Sequence, residues 1–395
     1  MSPALGLSPE ARLLLLASSA EPDRELFAQL ARGPLNWDFL TGMAIRSHAT
    51  AALWSHLRGV PGLPRAEAAR LEFSGAVIEF RIRHIQCLLE EVVSLLARHD
   101  IEVMLLKGAA LLAGGTERPL QRGMNDVDFV VVRGSPDDAW RLCQEAGWKL
   151  RYAEATDQYE NHHHLPPLAD ARNVGLNLEI HRLIFPGEDR ALWVDEAAMA
   201  RRARRVTIGG TTVRVPNLED LLLIACLHFA WGHSFHSHCW ATFADAHAIV
   251  ADRGFSWKRF LELTRTTAGG GCCYWTLRLA KVGAGLPVPD EVLEGLPGKP
   301  GRRLGAALER HFFAQLFDPK VAGTPVTLRK LLWQLAVRPR RSGLGKSRPW
   351  LLGGPSIDRS TGAAEPQGAW ARTVATVRYL WTLARTSGRE RSSPA

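Results

Sequence analysis

The sequence lacks any apolar run of the roughly 18–20 residues that a membrane-spanning helix needs. The leucines of Leu13–Leu16 form a short cluster that follows Glu10 and Arg12. A secretory signal would require a longer apolar region ahead of a small-residue cleavage site. We therefore expect a soluble chain without a secretory signal. Its 395 residues are enough for about two or three domains with sizeable cores.

Cysteine is scarce. The six cysteines are scattered along the chain and show no framework spacing. This argues against a disulfide scaffold and favours a reducing compartment, so we predict a cytoplasmic protein. The adjacent pair Cys272 and Cys273 is predicted to be buried apolar filling.

Negative charge is outweighed by positive charge, with a formal net charge of +9. The arginines concentrate in Arg201–Arg205 and in residues 338–349. Such runs are usually solvated faces or tails. The sequence lacks the stacking aromatics or recognition motif that would accompany the basic face of a nucleic-acid-binding protein. Nucleic acid is therefore not the favoured partner, and a nucleoside triphosphate also carries enough charge to bind a basic cleft.

The stretch Leu105–Val132 carries two aspartates, Asp126 and Asp128, at the start of an apolar alternating run. Side chains of a strand alternate between its faces, so both carboxylates share one face while Val127 and Phe129 turn into a core. Carboxylates held this close repel each other unless a cation lies between them. Oxygen ligands of this kind suit Mg²⁺, which takes one or two protein carboxylates and completes its shell with water and substrate phosphate.

A lysine and a glycine precede the acid pair. Ile101–Lys107 is predicted to be a short buried strand, after which Gly108 opens a helical segment. Glycine at such a turn lets the backbone approach a ligand, and the helix N-terminus behind it favours a phosphate. The alternative is a turn glycine beside a solvated lysine. The two aspartates further along the chain favour the functional interpretation.

A third carboxylate lies on a second alternating strand. Val174–Leu183 has its apolar residues on one face and Asn177, Glu179 and His181 on the other. An exposed edge strand with a solvated glutamate would show the same pattern. His181 orders Glu179, contacts phosphate or binds a backbone carbonyl. Three convergent carboxylates repel one another without metal, so removing one should leave the protein as stable as before or more stable.

Two stretches are rich in histidine. Asn161–Leu168 has three consecutive histidines in a proline-containing loop, and we do not expect consecutive side chains to face one ion together. A zinc site there would need ligands from elsewhere. We predict that His163 and His164 contact the substrate from the wall of a cleft. The second stretch, His228–Cys239, matches no common zinc-finger spacing, and its histidines are predicted to be satisfied or exposed.

Helical patterns flank the acid-bearing strands. From Leu13 to Asp100 apolar residues recur every three or four positions. A core-facing stripe is predicted at Ile85, Leu88, Leu89, Val92, Leu95 and Leu96. A helix is predicted after Ser135 as N-cap and Pro136 as first residue, and a hairpin turn at Gly209–Gly210.

These motifs resemble the nucleotidyltransferase superfamily that includes DNA polymerase beta, and more particularly a bacterial family of uncharacterised nucleotidyltransferases. The resemblance runs from near the start of the chain to Pro289 and is strongest over Leu105–His181. The matching features are LLKG, RGMNDVD, HHHLPPL, LNLEIHRL and PNLEDLLLIACLHFA. One departure is the residue after Gly108. The superfamily usually has a serine there that touches nucleotide phosphate, whereas this chain has Ala109.

The resemblance implies site roles. Asp126, Asp128 and Glu179 would be catalytic acids that hold Mg²⁺, or alternatively Mn²⁺. Because Ala109 has no hydroxyl, phosphate binding would fall to Lys107 or Arg122. The nucleotide-binding set is therefore predicted to be Lys107, Gly108, Arg122, His163, His164 and His181. Asp245 resembles an aspartate of the family's helical part and is predicted to be structural or to face the cleft.

The predicted fold class is α+β, with a small mixed-sheet nucleotidyltransferase core flanked by N-terminal helices and a C-terminal helical domain. The proposed boundaries are 1–100 for the N-terminal helices, 101–215 for the core, 216–337 for the helical domain, and 338–395 for a basic linker and a last amphipathic helix. A cleft between sheet and helices is where ligand sites usually form.

The predicted function is Mg²⁺-dependent transfer of a nucleotidyl group from an NTP to a hydroxyl or phosphate acceptor, in the setting of a biosynthetic pathway. The acceptor would be a small molecule, sugar or peptide. Two alternatives remain open. One is a transferase that modifies a peptide or sugar with another activated donor. The other is a non-catalytic nucleotide-binding regulatory module, which the loss of the Gly-Ser motif favours.

Overall fold

The structure is a computed structural model that describes residues 7–115, 121–151, 159–160, 162–171, 175–185, 194–235, 239–317 and 326–337, together with Val374 and Val377. The helices are α1 Pro9–Leu16, α2 Arg24–Ala31, α3 Trp37–Arg46, α4 Thr50–Leu57, α5 Arg65–Ala97, α6 Lys107–Ala113, α7 Pro136–Glu145, α8 Glu196–Arg202, α9 Leu218–Leu227, α10 Cys239–Ala251, α11 Trp257–Arg265, α12 Gly270–Leu279, α13 Asp290–Gly295, α14 Arg302–Gln315 and α15 Val326–Val337. The strands are β1 Glu102–Leu105, β2 Asp126–Arg133, β3 Lys149–Leu150, β4 Leu168–Ala169, β5 Asn177–His181, β6 Arg204–Ile208 and β7 Thr211–Val215. Two π-helical turns, His228–Gly232 and Ala280–Ala284, directly follow α9 and α12. None of the described helices is long and apolar enough to cross a membrane.

The described strands form one mixed sheet in the order β3-β4-β5-β2-β1-β7-β6. The acid-bearing strand β2 lies at its centre, antiparallel to β1 and parallel to β5. A central strand is covered on both faces and needs apolar residues on both, which Val127, Phe129 and Val130 supply. Helices α5, α6 and α7 pack against strands of the sheet. The predicted fold class, a mixed-sheet core with helices around it, is confirmed.

Local sequence signals set the ends of several elements. The Ser135 side chain accepts a hydrogen bond from the backbone N–H three residues later, and Pro136 is the first residue of α7. The β6–β7 hairpin turns at Gly209 and Gly210, whose φ angles of 52° and 81° suit a tight turn with two left-handed residues. Both predictions from the sequence are confirmed.

One hydrophobic cluster joins the helices to the sheet. Its buried members run from Leu15 to Val337. Five residues of the predicted α5 stripe belong to it, and Leu95 packs against it while half-buried. Cys272 and Cys273 are fully buried in the same cluster, as predicted. A second cluster packs the N-terminal helices against Trp240 of α10.

The division of the chain into four parts stays a prediction. The N-terminal helices, the sheet and the helices after β7 correspond to residues 1–100, 101–215 and 216–337. Because one hydrophobic cluster includes all three, these boundaries separate kinds of secondary structure within a continuous core. The predicted basic linker and last amphipathic helix lie outside the described residues, apart from Val374 and Val377.

His247 makes the stability of this core depend on pH. It lies buried on α10, and its Nε2 donates to the Ala284 carbonyl oxygen at 3.2 Å. Burial lowers the pKa of His247 to about 4, whereas an unfolded histidine has a pKa of about 6.5. The unfolded chain binds the extra proton between these values, so the free energy of unfolding decreases as pH falls from about 6.5 towards 4, by up to ~1.4 kcal/mol per pH unit.

We expect His247→Gln, which keeps an N–H donor, to lose less stability than the parent over this acid range. The measurement is urea denaturation of both proteins at several pH values from neutral downwards. Equal losses in the two proteins would show that His247 does not carry the effect.

Candidate active site

Strands β2 and β5 bring two of the predicted acids side by side. Their parallel register pairs Asp128 with Glu179 and Asp126 with Asn177. The carboxylates of Asp128 and Glu179 and a ring nitrogen of His181 lie within 4.8 Å of one another. Both strands alternate with period two, so these side chains share one face. Leu178 and Ile180 on β5, and Leu176 just before it, are buried, as the alternation predicts.

We call the side of β2 and β5 that carries Asp126, Asp128 and Glu179 the acid face. It forms part of the wall of a cavity of about 700 Å³. Asp126, Asp128 and Glu179 all line it, together with Lys107 and Arg122. The opposite wall comes from α3, α9, the π-helical turn after α9, and α10. The cavity therefore lies between the sheet and helices from both ends of the chain, as expected for a ligand site.

Asp128 is the most buried of the three acids, with 2% of its surface exposed. Its Oδ1 accepts hydrogen bonds from Lys107 Nζ at 2.8 Å and from His181 Nε2 at 3.1 Å. Burial by itself raises the pKa of Asp128, but the Lys107 ammonium and His181 outweigh burial and hold this pKa well below its usual range. Asp128 is therefore ionised and fixed in position from two sides.

Lys107 is held where several negative charges meet. Burial by itself lowers its pKa, but the carboxylates of Asp128, Asp126 and Glu179 together raise it above the usual value. The backbone of Lys107 has φ of +48°, which is uncommon for a residue other than glycine. Such conformations cost about 1–3 kcal/mol and occur most often at functional sites. Lys107 directly follows Leu106, whose backbone N–H bonds to the Asp128 carbonyl oxygen.

Glu179 has the opposite charge environment. Burial, followed by the neighbouring Asp128 carboxylate, raises the pKa of Glu179 to about 8, although Lys107 acts in the other direction. All three carboxylates lie close enough to Lys107 to raise its pKa. A divalent cation beside Asp128 and Glu179 would favour the ionised form of Glu179, and carboxylate oxygens are ligands that Mg²⁺ and Mn²⁺ bind.

Arg122 is held by a bidentate ion pair. Its Nε and Nη2 donate to the two carboxylate oxygens of Asp245 on α10, at 2.7 and 2.9 Å. Burial lowers the pKa of Arg122, and Asp245 more than offsets this effect and raises it. Asp245 therefore faces the cleft, as predicted, and aims the guanidinium across it.

Gly108 packs closely against Arg122, and its predicted role in nucleotide binding stays a prediction. A Cβ at this position would lie 2.6 Å from Arg122 Nη1 and 3.1 Å from Met124 Sδ. Only glycine leaves room for the guanidinium to lie on this turn. Gly108 lines the cavity, and the Arg122 guanidinium occupies the space next to its α-carbon.

Three further residues line this wall, and none of them was assigned a role from the sequence. His48, with φ of 52°, accepts a hydrogen bond at Nε2 from Asn125 Nδ2 at 2.7 Å. The side-chain amide oxygen of Asn125, Oδ1, accepts a hydrogen bond from Arg81 Nη2 at 2.9 Å. Gly123 is in close contact with the backbone of His48. The N-terminal helices therefore hold the loop that precedes Asp126.

The second histidine-rich stretch also reaches the cavity. His228 and His233 line it, and their Nε2 atoms lie 3.2 Å apart. The π-helical turn brings the two rings together, and π-helical turns often occur at functional sites. Ser234 and Phe235 have positive φ angles directly after it. From sequence we expected satisfied or exposed histidines, and the structure gives this pair a place in the cavity wall.

The three consecutive histidines lie closer together than expected from the sequence. Ring nitrogens of His162, His163 and His164 lie within 4.8 Å of one another, which is close enough for them to hold one metal ion. The loop bends at these residues, which turns the side chains to the same side. Burial lowers the pKa of His163 to about 2 and of His164 to about 3.

His181 connects these histidines to the acids. The rings of His163 and His164 each lie 5.3 Å from the ring of His181. Among the described residues that line the cavity, none of the three histidines is found. His181 acts on the site through its bond to Asp128. The predicted contacts of His163 and His164 with substrate stay a prediction.

A comparison with protein-family models agrees with this geometry. A model described as an uncharacterised nucleotidyltransferase matches residues 33–282. The chain belongs to this family. A search of curated proteins and a search of solved structures gave no match.

The family's name indicates a transferase and a general role in nucleotidyl transfer. The matched region begins before α3 and ends within the π-helical turn after α12. It includes His48 and all three acids, as well as Asp245. The wider resemblance to the superfamily of DNA polymerase beta stays a prediction.

The ion pair of Asp128 changes the stability expected on removing an acid. Asp128→Asn leaves Lys107 and His181 facing a neutral amide, and breaking a buried pair costs about 3 kcal/mol. Glu179→Gln removes a carboxylate whose charge is disfavoured by burial and by Asp128. In metal-free buffer we therefore expect Asp128→Asn to lower the melting temperature and Glu179→Gln to leave it unchanged or raise it.

Thermal unfolding of the two variants and the parent, all without divalent metal, is the measurement. A melting temperature of Asp128→Asn at or above that of the parent would contradict the central role of the Lys107 pair. A large decrease for Glu179→Gln would show that Glu179 stabilises the fold.

Proposed function

We propose that this chain is a Mg²⁺-dependent nucleotidyltransferase that moves a nucleotidyl group from an NTP to a hydroxyl or phosphate acceptor. The observation that carries the proposal is the acid face of β2 and β5. Asp126, Asp128 and Glu179 line one cavity beside Lys107 and Arg122. Carboxylates that hold a cation beside two phosphate-binding cations are the arrangement that phosphoryl chemistry needs.

The residues present fit a divalent metal. Burial and then the Asp128 carboxylate raise the pKa of Glu179, and a bound cation would favour its ionised form. Asp126, Asp128 and Glu179 supply only oxygen ligands. These are the preferred ligands of Mg²⁺, with Mn²⁺ as the alternative. When bound, the metal neutralises charge on the donor phosphates. His181 keeps the Asp128 carboxylate oriented through its Nε2 contact.

Lys107 and Arg122 are proposed to bind the donor phosphates. Ala109 offers no hydroxyl, so these two cations are the groups near the acids that can replace it. Arg122 is oriented by Asp245, which keeps its planar guanidinium in one place. Lys107 bonds to Asp128 in this structure and has its ammonium at the acid face. It can move to a phosphate oxygen when Asp128 is bound by another cation.

Glu179 is proposed to receive the proton of the acceptor hydroxyl. Its pKa of about 8 is close to the range in which a carboxylate works as a general base near neutral pH. The acceptor oxygen attacks the α-phosphorus, the bond to pyrophosphate breaks, and the hydroxyl proton passes to Glu179. His228 and His233 line the same cavity, and we propose that they contact the acceptor.

Two other functions remain candidates. The same cavity would serve a transferase that uses a different activated donor on a peptide or sugar. Ala109 in place of serine favours a non-catalytic nucleotide-binding module. A screen of donors, metals and candidate acceptors, followed by mass spectrometry, separates the three. NTP binding without turnover of any acceptor would favour the regulatory module.

Arg122→Gln is expected to weaken NTP binding by about 10–100-fold, because a charge-assisted hydrogen bond contributes ~1.5–3 kcal/mol. Its remaining affinity should depend less on salt than that of the parent. Asp245→Asn should give a smaller loss, since it removes only the group that orients Arg122. Calorimetric titration with an NTP at two ionic strengths measures both effects.

A matched control is Arg259→Gln. Arg259 also pairs with a buried carboxylate, Glu219, but it is not among the residues that line the cavity. NTP affinity should be unchanged in this variant. An equal loss in the control, or no loss in Arg122→Gln, would place phosphate recognition elsewhere.

Glu179→Gln is expected to lower kcat by about 10²–10⁴-fold, the usual contribution of a general base, with a much smaller change in NTP affinity. Pyrophosphate release and the mass gained by the acceptor measure turnover. Turnover near the parental rate would refute the base assignment while leaving Asp126 and Asp128 as the metal ligands.

A further inference from the structure

The loop before β4 carries a cluster of imidazole rings that the acid face does not use. His162, His163 and His164 follow one another on a bend, and their ring centroids lie 4.1–4.9 Å apart. One ring nitrogen from each lies within 4.8 Å of the others. Three nitrogen ligands are thus brought together by a single turn of the chain.

The individual nitrogens are arranged for ligation. His164 Nδ1 donates to the Leu165 carbonyl oxygen at 2.7 Å, which fixes its tautomer and leaves the Nε2 lone pair available. A second ring nitrogen held by a backbone carbonyl is the usual support of a metal-bound histidine. His163 Nδ1 is buried and has no hydrogen-bond partner among the described residues. A buried nitrogen without a partner is costly unless a ligand satisfies it.

The bend is held firmly against β5. The His163 carbonyl oxygen accepts hydrogen bonds from the backbone N–H groups of Arg182 and Leu183, at 2.8 and 3.0 Å. The Leu165 N–H donates to the Ile180 carbonyl oxygen at 2.9 Å. The loop therefore holds the three rings together before any ion binds, which reduces the ordering required on binding.

We propose that His162, His163 and His164 bind one Zn²⁺ ion, with the fourth position left for water or another ligand. Three histidines with an open fourth position form a known tetrahedral zinc arrangement. Imidazole ligands select Zn²⁺ and neighbouring transition metals, whereas the carboxylates of the acid face select Mg²⁺. The nitrogens of a tetrahedral zinc site lie roughly 3.3 Å apart, so the rings close by about 1 Å. The contact of His162 Nδ1 with the His164 N–H, at 3.4 Å, is long enough to give way.

The zinc ion would stabilise the acid face indirectly. His163 and His164 stand beside His181, whose Nε2 contacts Asp128 Oδ1 at 3.1 Å. A zinc ion in the bend fixes two of the rings that surround His181. The existence of the proposed site does not depend on the proposed transfer reaction.

The test is zinc content of the full chain, produced without a polyhistidine tag, loaded with excess Zn²⁺ and then dialysed against metal-free buffer. Elemental analysis should find one zinc per chain in the parent. His163→Ala and the milder His164→Gln should each lose most of it. His233→Ala, which alters the second histidine pair, and Asp128→Asn should each retain it.

Further measurements distinguish zinc bound by the histidines from metal bound at the acid face. Excess Mg²⁺ should leave the zinc in place, because Mg²⁺ competes for carboxylate sites and not for imidazole sites. Cobalt substitution should give the visible absorption of a tetrahedral ion, and this absorption should be absent in His163→Gln. Circular dichroism identifies any variant that fails to fold, in which case the parent's Mg²⁺ competition and cobalt spectrum decide. The proposal is overturned if the parent holds no stoichiometric zinc, if Mg²⁺ displaces it, or if zinc is lost in His233→Ala and kept in His163→Ala.

Discussion

The ion pair between Lys107 and Asp128 is the constraint on which the rest of the site depends. Asp128 is almost fully buried in the central strand, and such a charge persists only when it is paired. Lys107, the first residue of α6, meets this requirement from just after β1 and has a left-handed backbone conformation. His181 meets it from the neighbouring strand β5. One carboxylate oxygen of β2 is thereby bonded to groups from the segments on both sides of the strand.

A second ion pair connects the loop before β2 to a helix that follows the sheet, α10. Arg122 lies in the loop before β2, and Asp245 lies on α10, far along the chain. Gly108 has no side chain and therefore leaves room for the Arg122 guanidinium. The two pairs differ in what they do. Lys107 neutralises the buried carboxylate of Asp128, whereas Asp245 orients Arg122, whose side chain lines the cavity. Together they put acids and cations on the same cavity wall, which is the charge pattern that a metal-bound triphosphate requires.

Much of this site could be predicted because its signals are local. Period-two alternation is enough to place Asp126 with Asp128, and Glu179 with His181, and the strand pairing then follows the buried residues. The contacts that were missed join segments far apart in sequence. His48 with Asn125 and Lys107 with Asp128 have no periodicity that would reveal them. The convergence of His162, His163 and His164 depends on a bend, whose dihedral angles a run of identical residues does not specify.

The N-terminal helices help to position the candidate site, and the backbone packing shows how. A side chain at Gly123 would lie 2.6 Å from His48 Cβ and 2.7 Å from its carbonyl oxygen, so the two chain segments meet at their closest approach. His48 adopts a left-handed conformation at this contact and also holds Asn125, whose carbonyl oxygen bonds to the first residue of β5. The loop that delivers Asp126 is thus positioned by residues before 100. The family match begins at residue 33 and therefore includes this contact. This is physically reasonable because the N-terminal helices position the loop that leads into β2.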